Sequence, residues 1–167
     1  DKMDILLPII IILSIVLFFM YYKPPCEYSY KSKSGKRYNC RDEKTAEVLD
    51  VLRLISKDLT KRIDSEDSDI LISNLQNTSF KEVIHEDPNI LAWNYDKGRE
   101  IAIRIYDVNG DPLPAETIIE SLFHELAHSI TINAWGHGAE WEENNKELQS
   151  LKDNYVDILL LKTFLDE

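Results

Sequence analysis

Residues 115–131 read Ala115-Glu116-Thr117-Ile118-Ile119-Glu120-Ser121-Leu122-Phe123-His124-Glu125-Leu126-Ala127-His128-Ser129-Ile130-Thr131, and this stretch decides the fold. Ile118, Ile119, Leu122, Leu126 and Ile130 recur at the spacing of one buried helix face, whereas Thr117, Ser121, His124, His128 and Thr131 fall on another. Pro112 and Pro114 stand just ahead, where a fixed φ suits a helix start and the missing N–H costs little. Two histidines four residues apart share one side of the helix. Both imidazoles can therefore reach one metal ion at about 2.0–2.1 Å, with Glu125 placed beside a water on that metal. H-E-x-x-H on a half-buried helix is the pattern of a zinc peptidase.

A catalytic zinc site usually has three protein ligands and one open position. The third ligand is expected from Trp135-Gly136-His137-Gly138, where glycines on both sides of His137 suit a chain reversal toward the helix. Glu147 is the competing candidate, at about the distance from His128 that thermolysin-like enzymes use. Thr131 and Ala134 exclude the metzincin spacing.

Three pieces together carry a family resemblance: Ile101-Ala102-Ile103-Arg104-Ile105, Leu122-Phe123-His124-Glu125-Leu126-Ala127-His128, and His137 with Trp141. They resemble the WLM metallopeptidases, and Gly136-His137-Gly138 followed by Trp141 is similar also to the SprT group. The gap between His128 and His137 is longer than WLM sequences usually show and shorter than in many SprT sequences, so the subfamily stays open at this stage. The resemblance implies a small α+β, zincin-like domain of a sheet and a catalytic helix over residues 26–167. It also implies Zn²⁺ held by His124, His128 and His137, with Glu125 as general acid and base. A protein or peptide is the implied substrate. Arg104 and Tyr106 are candidate substrate-binding residues because their strand is expected near the cleft.

Charge narrows the partners. The chain of 167 residues has a formal net charge of −11, and residues 1–25 contribute two acids and two bases, so the excess lies in the domain. Such a surface repels phosphate backbones, and no direct nucleic-acid binding is expected. The zinc ribbons, basic tails and partner motifs of DNA-associated SprT and WLM proteins are not visible.

Residues 1–25 are read as a membrane anchor. Ile5 to Tyr22 is an uncharged apolar run, about 27 Å long as a helix, close to the thickness of a bilayer core. Met20-Tyr21-Tyr22-Lys23-Pro24-Pro25 lacks a small-residue cleavage site, which favours a span over a signal peptide. Lys2 alone precedes the run, whereas Lys23, Lys31, Lys33, Lys36, Arg37 and Arg41 follow it, so the catalytic domain is expected on the cytoplasmic side of a single-pass protein. Cys26 and Cys40 would then be reduced and the sequon Asn77-Thr78-Ser79 unmodified; a lumenal domain would reverse both expectations. An alternative of a different class is a structural membrane protein of a larger assembly, an organelle complex or a virion, that retains a peptidase-like zinc fold.

Elsewhere the patterns are simpler. Tyr28 to Tyr38 reads as a hairpin around Ser34-Gly35, and Asp42 to Ile63 as an amphipathic helix behind the catalytic one, with Val48, Leu52, Ile55, Leu59 and Ile63 on one face. Residues 64–69 form an acidic loop, and residues 70–86 show no clear pattern. Leu91 to Tyr95 and Glu100 to Tyr106 read as a second hairpin, whose later strand is either an open edge for an extended peptide or an internal strand. His85 is a loop residue, and Ala139 to Leu165 reads as helix.

Overall fold

A computed structural model describes residues 28–60, 75–131 and 136–163. The apolar run 5–22, Cys26, Ile63 and the acidic loop 64–69 lie outside these residues. Among the described residues no helix is long and apolar enough to cross a membrane.

Strands β1 (Ser29–Lys31) and β2 (Arg37–Asn39) pair antiparallel with Tyr30 opposite Tyr38, which is the hairpin expected around Ser34-Gly35. Gly35 turns the chain with φ of 84°, a left-handed conformation that costs glycine little. The Tyr38 ring is buried, and its hydroxyl donates to Asp50 and accepts from Arg53 Nε at 3.0 Å, which fastens the hairpin to helix α1 (Glu43–Thr60). Asp42 caps α1, accepting from the backbone N–H and the hydroxyl of Thr45, each at 2.7 Å. The apolar stripe Val48, Leu52, Ile55 and Leu59 is buried as its spacing requires. It rests on the sheet and the last helix, however, and only marginally on the helix that carries the histidine motif.

Strand β3 (Ser79–Glu82) emerges from the patternless segment, and its neighbours explain why the sequence hides it. It is short, and its buried positions are Phe80 and Glu82, an apolar residue and an acid. Glu82 tolerates burial because Arg41 satisfies it twice, through Nε at 2.6 Å and the backbone N–H at 2.8 Å. Strands β4 (Ala92–Tyr95) and β5 (Glu100–Ile103) form the second hairpin, and the sheet order is β1-β2-β3-β5-β4. β5 runs parallel to β3 on one side and antiparallel to β4 on the other. It is therefore internal, the second of the two readings its pattern allowed: an isoleucine-rich strand with both edges paired cannot receive a peptide. Among the described strands, β4 and β1 occupy the edges.

Helix α2 (Ala115–Ile130) carries the histidine motif, and Ile118, Ile119, Leu122, Phe123, Leu126 and Ala127 are buried along it. The segment expected to be one helix from Ala139 to Leu165 is instead two, α3 (Ala139–Ser150) and α4 (Lys152–Thr163), interrupted at Leu151. Neither glycine nor proline marks the break. The Leu151 N–H turns to Leu148 O at 3.0 Å and the Ser150 hydroxyl to Glu147 O at 2.6 Å, so the chain bends. Trp141 and Leu148 then reach the core from α3, and Tyr155 and Leu159 from α4. Tyr155 meets Phe123 edge-on, with centroids 5.7 Å apart, and its hydroxyl donates to Asp58 of α1 at 2.9 Å.

Candidate metal centre

His124 and His128 project from α2 one turn apart, and His137 stands in the segment just before α3. One ring nitrogen from each of the three lies within 4.8 Å of the others. His124 Nε2 and His137 Nε2 are 3.2 Å apart. Two nitrogens bound at about 2.05 Å to one tetrahedral zinc ion are separated by about 3.3 Å, so this pair of imidazoles already stands at the spacing of co-ligands. Gly136 makes the reversal with φ of 88°, whereas Gly138 is extended, so only the first of the flanking glycines is needed for its backbone freedom. The rival ligand Glu147 is exposed on α3 and outside this group.

Trp141 backs the cluster. Its ring lies 4.8, 5.3 and 4.3 Å from those of His124, His128 and His137, centroid to centroid. The indole is buried, and among the described residues its Nε1 has no hydrogen-bond partner. A rigid aromatic plate against three imidazoles limits their rotamers.

Electrostatics favour a neutral donor set. Burial lowers the pKa of His124, with His137 adding to the effect. Burial takes His128 down to about 4, helped by His124, His137 and Lys97. An imidazole must be unprotonated to bind a metal, so both enter neutral pH in the ligating form. Burial alone pushes the Glu125 carboxyl up to about 7, a value suited to a group that takes and returns protons near neutrality.

Asn94 is the residue that sequence reasoning passed over. From β4 its Nδ2 donates to Glu125 O and to Ser129 Oγ, each at 2.7 Å, and its Oδ1 accepts the Gly98 N–H at 2.7 Å. One amide thus joins the hairpin turn to the backbone of the general-base candidate. Its only sequence signal is an amide inside an otherwise aromatic and aliphatic strand. The turn supplies a second tie, because Lys97 Nζ donates to Thr131 O at 2.7 Å at the C-terminus of α2.

Beside His124 and Glu125 a cleft of about 610 Å³ opens between Leu91 and Ala92 on one side and Asn145 and Gln149 of α3 on the other. Arg104 and Tyr106 do not line it. The Arg104 guanidinium is buried and donates to three carbonyls, Ile90 O at 2.8 Å, His85 O at 2.8 Å and Asp87 O at 2.9 Å, which holds the loop before β4. The Tyr106 ring lies under the Arg41 guanidinium at 4.5 Å. Neither is brought to the histidines. His85 is an exposed loop residue, its Nδ1 accepting from the Asp87 N–H at 3.0 Å.

Comparison with known proteins bears on this site. Residues 56–154, more than half of the chain, match the family model of the WLM domain. No curated protein matches the sequence. Two solved structures of Wss1 from Saccharomyces cerevisiae are similar, both at 18% identity. The first is covered over 79% of its length by 70% of this chain with a TM-score of 0.49, and the second, a mutant, over 77% by 53% with a TM-score of 0.43.

Proposed function

The chain belongs to the WLM family, and from that premise we propose that it is a zinc-dependent metallopeptidase that hydrolyses peptide bonds in protein substrates. The observation that carries this reading is the convergence of three imidazoles beside a buried carboxyl group, Glu125, at the mouth of a cleft. WLM proteins are in general zinc-dependent, and the donor set here suits that metal: three nitrogens, two of them kept neutral by burial. When bound by His124, His128 and His137, zinc supplies Lewis-acid polarisation of a carbonyl and a water that ionises near neutral pH.

The rest of the chemistry belongs to the chain. The Glu125 carboxylate removes a proton from the attacking water and returns it to the departing amine nitrogen. Asn94 holds the backbone at Glu125, and Trp141 holds the imidazoles. The outer edge of β4 takes the place of β5 as the site for an extended substrate to add as a strand, since β4 begins beside the cleft at Ala92. Residues 5–22 anchor the domain to a membrane in this reading, with the site facing cytoplasmic proteins.

The deciding experiment is cleavage of an unfolded protein by the purified, zinc-loaded chain. Glu125→Gln should lose most hydrolysis and keep its zinc. Equal activity in the two proteins would sink the peptidase reading.

A further inference from the structure

We infer that the helix-free face of the sheet is a docking surface for anionic phospholipid headgroups, laid against the bilayer that residues 5–22 enter, an inference that rests on the anchored, cytoplasmic reading above. Side chains alternate across a strand, so burying one face leaves the other over. Tyr38, Phe80 and Ile101 point into the core beneath α1 and α2, and Asn94, level with Ile101, reaches α2. Lys31, Arg37, Lys81, Glu100, Trp93 and Tyr95 hold the alternate positions and share the opposite face. Among the described helices only α1 and α2 contact the sheet, so no helix covers it.

That face differs in charge from the rest of the domain. Lys31 and Arg37 are exposed and stand directly opposite each other in the β1–β2 register, and among the described residues no carboxylate pairs with either. Like charges set opposite across a ladder cost stability, and an anion from outside the chain removes that cost. Lys81 Nζ balances Glu100 at 2.5 Å and lies 5.6 Å from the Trp93 ring, and Tyr95 is 63% exposed at the far edge. One edge is thus basic and the other aromatic, four strand spacings of about 4.8 Å apart, or about 19 Å. The helical side has the opposite sign: α3 carries Glu140, Glu142, Glu143 and Glu147 against Lys146. An anionic surface repels that side and attracts the sheet face, which orients the domain.

The tether selects a membrane over other polyanions. Ser29 follows Tyr22, the end of the apolar run, by seven residues, a reach of at most about 25 Å. β1 is the edge strand that carries Lys31, so the chain itself keeps the basic edge within that distance of the headgroups. Trp and Tyr settle at headgroup level, and the phosphatidylserine of a cytoplasmic leaflet attracts Lys and Arg. Docked in this way, the domain turns the cleft between Ala92 and α3 away from the lipid.

The test places the full chain in phosphatidylcholine nanodiscs with and without phosphatidylserine and follows lysine reductive methylation by mass spectrometry. Lys31 and Lys81 should react about fivefold more slowly with phosphatidylserine present, Lys146 should react equally in both, and high salt should erase the difference. Lys31→Glu combined with Arg37→Glu should abolish the protection of Lys81. Equal rates in the two discs, or protection shared by Lys146, would overturn the surface. Protection of Lys31 by a single-stranded oligonucleotide but not by phosphatidylserine would overturn the lipid assignment. Flotation with phosphatidylcholine vesicles reports the anchor separately. If the chain does not float there, the anchor fails, and the face is read by flotation with phosphatidylserine vesicles. Wild type should then float and the double substitution should not; the same behaviour from both proteins would overturn the surface as well.

Discussion

At the scale of single residues, the third histidine carries the sharpest expectation. Because His137 Nε2 stands 3.2 Å from His124 Nε2, removing its imidazole takes away one of three convergent donors. His137→Ala should weaken zinc binding by at least about a hundredfold in a chelator competition. Unchanged affinity would move the role to Glu147 or another residue. Glu125 permits a second test in metal-free protein. Its carboxyl, raised by burial to about 7 from an ordinary value of 4.5, stays protonated in the folded chain while the unfolded chain ionises. A raised folded pKa gives stability that is complete below pH 4.5 and lost as pH rises through about 7. Above pH 8, metal-free Glu125→Gln should thus be more stable than wild type by on the order of 2–3 kcal/mol in urea, and the gap should close toward pH 5. A gap independent of pH would show that burial does not act on this carboxyl.

At the scale of elements, the hairpin β4–β5 and the histidine-bearing helix α2 are joined at one turn. Gly98 has φ of 95°, and a Cβ added there would stand 2.6 Å from Ser129 Oγ, the atom that Asn94 also engages. Gly98→Ala should therefore destabilise by about 2 kcal/mol or more, combining backbone strain with a clash against a buried hydroxyl. Asn94→Ala leaves the Gly98 N–H without its partner and should cost about 1–3 kcal/mol by thermal or urea unfolding. The second substitution also loosens the backbone at Glu125, so kcat should fall more than zinc affinity does. A loss of zinc without a loss of kcat would contradict that assignment. Asn94 was hidden in the sequence because an amide in a short strand has no periodicity of its own, and its partners lie 31 and 35 residues away.

At the scale of the whole molecule, the proposed anchor at residues 5–22 and the side of the membrane it would give the domain are open to a direct test. Among the described residues Cys40 has no disulfide partner and is buried, and burial pushes its thiol up to about 11, so an unpaired Cys40 should resist alkylation at pH 8 while folded and react once denatured. Labelling before and after reduction then separates the two orientations of an anchored chain, alongside protease protection of membrane vesicles. A cytoplasmic domain should be digested in intact vesicles and, once denatured, show its thiols without reduction. A protected domain with thiols that appear only after reduction would reverse the orientation and leave the histidine cluster untouched.

Local order in the sequence was enough to specify α2, its two in-line histidines, Glu125, α1 and both hairpins, because helix and turn signals act over three or four residues. It also pointed to His137, through a glycine whose left-handed backbone the reversal requires. Other features came only from the tertiary structure. The insertion of β3 between β2 and β5 closed the edge that the β5 pattern left open, and a buried Glu82 carried no strand signal apart from Arg41. The break at Leu151 arises where α3 and α4 must both reach the core around α2, without a breaker residue. Arg104, read as a candidate for substrate, is committed to three backbone carbonyls. Each of these depends on partners distant in sequence, and a burial pattern reports that a side chain is covered without reporting by what.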